Sequence, residues 1–115
     1  MQYIDGYVIP VLTASKQKYV DHARIAAGVF KDHGALQVVE CWGDDVPDGK
    51  LTSVPMAVKR QPHETVVFSW IVWPSRQVRD AGMPKVMADA RLQSLDMPFV
   101  GKRMIFGGFQ MVLDV

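Results

Sequence analysis

Six residues in this 115-residue chain carry chemistry that could converge: Asp5, Tyr7, Glu40, Trp42, Ser69 and Arg103. Two carboxylates, a guanidinium, a phenol, a hydroxyl and an indole would give a few polar groups among aromatic walls, as a small-molecule pocket requires. Burial raises the proton affinity of a carboxylate and suits it to general-base work, while an arginine grips an anionic group through two parallel hydrogen bonds. A structural assignment competes with this one. Asp5 or Glu40 would then pair with Arg103 across the sheet or a dimer interface, with no chemistry attached. Strand register decides between them, because a slip of one residue turns every side chain to the opposite face. The residue types name no catalytic group.

The remaining reactive residues point to bland roles. His22 and His33 lie eleven residues apart, roughly 16 Å along a helix axis, too far to share an ion. With His63 alone in a loop, surface or capping roles are expected and no metal site. Asp44, Asp45 and Asp48-Gly49 lack the spacing and terminal glutamate of a calcium loop, so a solvated turn is expected. Cys41 is the single cysteine. It excludes an internal disulfide and a C-x-x-C motif, and its apolar strand predicts a small core residue. Thirteen basic and 12 acidic residues leave a formal charge of +1. Such a balance argues against a nucleic-acid partner, which needs clustered excess cations. Lys102 to Phe109 matches an RNA-binding signature only faintly and with the wrong spacing. The first residues, Met1 to Gly6, have no basic region and include Asp5, so no signal peptide is expected. These features predict a cytoplasmic protein with no cofactor and no membrane association.

The elements that must position the six residues centre on Thr65 to Trp73, Thr-Val-Val-Phe-Ser-Trp-Ile-Val-Trp, bounded by Glu64 and Pro74. Almost all of it is β-branched or aromatic, and it is too short to span a membrane. Both parities, Val66/Phe68/Trp70/Val72 and Thr65/Val67/Ser69/Ile71/Trp73, are largely apolar, so neither face expects water. Upstream, Tyr3 to Val11 reads as a strand ending at Pro10. A helix follows from about Lys16 to His33, with an N-terminal cap from Thr13 or Ser15 and an apolar stripe of Tyr19, Ala23, Ala26, Ala27 and Phe30. His33-Gly34 is a stop signal. Ala35 to Gly43 is the second strand. The connection from Asp44 to His63 is long enough to hold structure, with a short helix expected around Ser53 to Lys59. After the central strand, Ser75 caps another helix, in which Gly82 and Pro84 predict a kink or a division into two. A last strand covers Lys102 to Leu113, and Gly107-Gly108 predicts a bulge or a close backbone approach.

The order is strand, helix, strand, strand, helix, strand, the ferredoxin-like βαββαβ arrangement, an antiparallel sheet with both helices on one face. A single α+β domain over residues 1–115 is expected. Its second sheet face is still apolar, with Tyr3, Tyr7, Trp42, Ile105 and Phe109 adding to the central strand. A second copy packed sheet against sheet is the simplest cover, giving a homodimeric α+β barrel. If the Val66/Phe68/Trp70/Val72 parity meets the helices, Ser69 and its neighbours face the barrel interior.

Particular runs carry a resemblance. They are Tyr3-x-Asp5-Gly6-x-Val8-x-Pro10, His33-Gly34-Ala35, Val39-Glu40-Cys41 through Gly43 to Val46, and Ala57-Val58-Lys59. Further along come Glu64 to Trp70, Lys85 to Asp89, and Lys102-Arg103-Met104-Ile105-x-Gly107-Gly108-Phe109. Together they resemble, over nearly the whole chain, a YbaA-like family of small bacterial proteins of unknown function. The resemblance implies the dimeric α+β barrel fold, shared more distantly with cofactor-independent monooxygenases. It brings no activity and no catalytic residues. Three functions therefore compete: a homodimer with a small-molecule pocket, a cofactor-independent monooxygenase-like enzyme, and a structural or interaction module without chemistry.

Overall fold

The computed structural model describes residues 1–99 and 101–115. Four strands, β1 (Tyr3–Leu12), β2 (Gln37–Trp42), β3 (Glu64–Trp73) and β4 (Ile105–Gln110), form one sheet in the order β2-β3-β1-β4. Every pairing is antiparallel. Helices α1 (Lys16–Asp32), α2 (Val54–Ala57), α3 (Arg76–Ala88) and α4 (Ala90–Gln93) complete a mixed α+β architecture. Among the described residues, no helix is long and apolar enough to cross a membrane.

Register fixes which side chains share a face, because directly opposed residues project to the same side. Tyr7 opposes Ser69, Ser69 opposes Glu40, Asp5 opposes Ile71, and Val67 opposes both Ile9 and Trp42. This face meets the helices. Tyr3, Val29, Phe30, Ile71, Trp73 and Val86 form one core cluster on it, and Ile9, Val11, Tyr19 and Val67 form a second. The Ser69 parity therefore packs against the helices, and the condition that would turn Ser69 toward a barrel interior is not met. Trp73 shows why: it is fully buried and its ring lies edge-on to Phe30, 6.1 Å between centroids.

The opposite face is open over its middle and its β4 edge, although Pro10, Val66 and Val72 on it are buried. Phe68 is 56 % exposed, Phe109 60 % and Ile105 43 %, with Trp70 half-buried beside Phe68. Cys41, opposite Phe68, is exposed on this face at the sheet's edge strand, not the core residue expected. Alternation put it there, since its neighbours Glu40 and Trp42 take the helix side.

Local signals explain the boundaries. Ser75 Oγ accepts the Val78 amide at 3.1 Å and starts α3, and Ser53 does the same for Met56 ahead of α2, where Pro55 occupies the first turn. The expected hydroxyl cap on α1 is absent. A 3-10 turn over Thr13–Ser15 leads into the helix, and Thr13 Oγ1 instead bonds Thr65 Oγ1 at 2.7 Å, tying the helix entry to β3. α1 stops at Gly34, which adopts φ +114°, open to glycine at little cost.

α3 runs unbroken through Gly82 and Pro84 to Ala88. Pro84 is exposed, so the Asp80 carbonyl left without its helical donor can turn to water. Gly82 is a point of close approach. A β-carbon there would lie 2.3 Å from the His33 carbonyl oxygen and 2.8 Å from the Trp73 ring, so glycine lets α3 press against the end of α1. Gly108 acts similarly. Its β-carbon would fall 2.3 Å from the Tyr3 hydroxyl and 2.7 Å from Arg79, and the β1–β4 register continues through it without a bulge.

Candidate functional site

Five of the six candidate residues, Asp5, Tyr7, Glu40, Trp42 and Ser69, share the helix-covered face, but they divide into separate environments. Asp5 is 4 % exposed and fully engaged. Arg79 donates to it from Nε at 3.1 Å and Nη2 at 2.8 Å, and the Trp73 indole donates at 2.9 Å. Arg79 lies over the Tyr3 ring, 5.1 Å from its centroid, and its guanidinium holds its proton more tightly beside Asp5. Asp5 is thus a structural anchor between β1, β3 and α3.

Arg103 leaves the group altogether. It sits in a 3-10 turn, Gly101–Arg103, before the last strand, which starts at Ile105 and not at Lys102. Its two terminal nitrogens grip Glu64 at 2.8 and 2.6 Å, and Nη1 also donates to the Lys59 carbonyl at 3.1 Å. The expected pairing of Arg103 with Asp5 or Glu40 does not occur. Hydrogen bonds from Arg103 hold the Glu64 carboxyl below its usual range, so this pair locks the α2–β3 connection.

Glu40, Ser69 and Tyr7 do come together, in one row across β2, β3 and β1. They line a cavity of about 180 Å³ between sheet and helices. α1 contributes Tyr19, His22, Ala23, Ala26 and Phe30, spaced so that one helical face covers the row. Met87, Leu92, Met97, Phe99 and Met104 border it on the far side, where Met87 and Met97 are exposed and the cavity is open. An outer hollow of about 640 Å³ shares His22, Met97 and Phe99 with this cavity and opens toward the start of α1. Trp42 stands at the margin, its ring 6.4 Å from that of Tyr19 and under the Lys16 ammonium at 5.5 Å.

The Glu40 carboxyl accepts one hydrogen bond from the Tyr19 hydroxyl and one from Ser69 Oγ at 2.5 Å. Among the described residues it has no cationic partner within ion-pair distance. Burial raises its proton affinity, and the bonds from Ser69 and Tyr19 offset that in part. The same burial, with the Glu40 charge second, holds the Tyr19 phenol well above its ordinary range. Tyr7 is pushed up to about 12 by burial, with Asp5 adding to the effect. Burial lowers the proton affinity of the His22 imidazole and so favours its neutral form. The arrangement can therefore hold or release a proton at Glu40 with two neutral donors steadying it.

Tyr19 and His22 are the site residues that sequence reasoning passed over. Tyr19 had looked like one member of an apolar stripe, and His22 like a surface residue. A hydroxyl within that stripe, three residues before a histidine, was the available signal. His33 has a structural role, contacting Asp89 at 3.0 Å where α1 ends, while Arg91 bridges Asp89 to Asp32. Among the described residues, no three His, Cys, Asp or Glu side chains gather as metal ligands.

Residues 2–101 match the model of a family described as a protein of unknown function, DUF1428. The chain is 52 % identical, over 116 aligned positions covering 99 % of both chains, to the uncharacterized protein YbaA of Escherichia coli strain K12. The YbaA proteins of Escherichia coli O6:H1 and of Shigella flexneri match to the same extent. With a match of this extent on both counts, the chain belongs to the DUF1428 family of proteins of unknown function.

Proposed function

We propose that this protein is a cytoplasmic homodimer, each copy a single ferredoxin-like domain, that binds a small molecule in the Glu40 cavity. One observation carries the reading: a half-buried carboxyl with, among the described residues, no cation within ion-pair distance, at the wall of a cavity large enough for a ligand. Buried carboxylates are ordinarily paired, as Asp5 and Glu64 are here. An unpaired one in a cleft, with its proton affinity raised, is a mark of function. Glu40 is the group placed to exchange a proton with a bound molecule, with Tyr7, Tyr19 and Ser69 around it. Asp5, Trp42 and Arg103 support the frame.

The dimer rests on the open face. Phe68, Phe109, Ile105 and Trp70 present an apolar surface that isolated proteins rarely leave to water. A second copy packed face to face would cover it and produce the α+β barrel. The ligand cavity lies on the opposite side, so dimerisation would stiffen its floor without closing its mouth. The lone cysteine suits a reducing compartment.

Two measurements test this reading. Sedimentation of the wild type should give a dimer and Phe68→Glu a folded monomer; a monomeric wild type would refute the dimer. Methyl NMR with toluene as probe should shift Ile9 and Ile71 in the cavity. Unchanged spectra at saturating toluene would refute the cavity as a binding site.

A further inference from the structure

We propose that the Glu40 cavity selects a neutral molecule about the size of one aromatic ring that donates a single hydrogen bond to the Glu40 carboxyl, and rejects anions of that size. The inference rests on the cavity reading above and adds the ligand's chemical class. Size comes first. The cavity measures about 180 Å³, and an apolar cavity of about 150 Å³ is enough to admit benzene. Its walls ask for an apolar body. Ile9, Phe30 and Ile71 are rigid surfaces, while Met87, Met97 and Met104 can adapt to an irregular outline.

Polarity comes second. An ionised carboxylate offers about four acceptor positions. Tyr19 and Ser69 occupy one on each oxygen, which leaves about two positions, one per oxygen, open to a ligand's donor. An ammonium group would bring three N–H donors against about two open positions on Glu40, among walls that apart from Tyr7, Tyr19, His22 and Ser69 are hydrocarbon and thioether. A single O–H or N–H leaves no donor unsatisfied.

Charge comes third. Among the described residues, no lysine or arginine lines the cavity. Arg79 and Arg103 are committed elsewhere, to Asp5 and to Glu64. His22, shared with the outer hollow, is shifted by burial toward its neutral form, and Lys18 lines that hollow but not the cavity. A carboxylate or phosphate entering here would meet Glu40 with no cation to compensate it.

The test uses the full chain at pH 7 with phenol, toluene and benzoate as probes, followed by methyl NMR and calorimetry. Phenol and toluene differ only by hydroxyl for methyl, so their ratio isolates the donor. Phenol should bind about tenfold more tightly than toluene, as one hydrogen bond to a charged or polarised acceptor implies, and benzoate more weakly than either. In Glu40→Met the preference for phenol should vanish while toluene still binds. Should that variant fail to fold, Glu40→Gln, which keeps the shape, should narrow the preference. Equal binding of phenol and toluene, or benzoate binding most tightly, overturns the ligand class and leaves the cavity reading standing. A phenol preference unchanged by the Glu40 substitutions also overturns it. No shift at Ile9 or Ile71 with any probe overturns both.

Discussion

Two carboxyls on one face of one sheet meet opposite fates. Asp5, in β1 opposite Ile71, is surrounded by charge-matched donors: a guanidinium on one side and an indole N–H on the other. Glu40, in β2 opposite Ser69, is steadied by two neutral hydroxyls beside a cavity. The first arrangement satisfies the carboxylate completely and holds β1 and β3 against α3. The second keeps the carboxyl at hand and leaves its charge uncompensated. Burial alone does not mark a functional acid; what surrounds it does.

That contrast can be broken most severely at Asp5. Asp5→Ala leaves the Arg79 guanidinium, itself 24 % exposed, with Asp80 alone as its carboxylate partner and removes the acceptor of the buried Trp73 indole. Loss of a buried pair on one side costs about 3–5 kcal/mol, and the partial exposure of Arg79 places this one near the lower end. Urea unfolding at pH 7 should report that loss, with the cavity's probe binding weakened only as far as folding is.

A smaller effect of opposite sense is expected at Glu40. A carboxyl whose proton affinity is higher in the folded state than in the unfolded chain contributes fully below its ordinary value of 4.5 and loses stability as pH rises through the folded value. Glu40→Gln cannot ionise. The difference in unfolding free energy between variant and wild type should therefore move in the variant's favour as pH climbs from 4 to 8. A flat difference would show no net shift at Glu40, and one that moves in the wild type's favour would place it with compensated carboxyls such as Glu64.

Much of this frame is legible in the sequence. The order of strands and helices follows from period-2 and period-3.6 patterns, from Ser75 as a cap and from Gly34 as a stop, because each is a local effect written into adjacent residues. The orientation of β3 was not legible. Both of its parities are apolar, and a rule that sends apolar residues inward cannot choose between two apolar faces. Only the register with Tyr7 and Glu40, and the burial of Trp73 against Phe30, decides it. The partners of Asp5 were hidden for another reason. Arg79 lies 74 positions away on a helix, and only the packing of α3 through Gly82 and Gly108 brings its guanidinium to β1. Arg103 looked like a strand residue because an apolar run follows it; the turn at Gly101–Arg103 sends it to Glu64 instead.

The central claim, that Glu40 is half-buried without charge compensation, is open to one direct measurement. Titration of the Glu40 side-chain carboxyl carbon by NMR in the full chain, free of ligand, should give a midpoint above the ordinary 4.5. A midpoint at or below 4.5 would show the carboxylate to be compensated as Asp5 is, and would remove the reason for placing a ligand beside it.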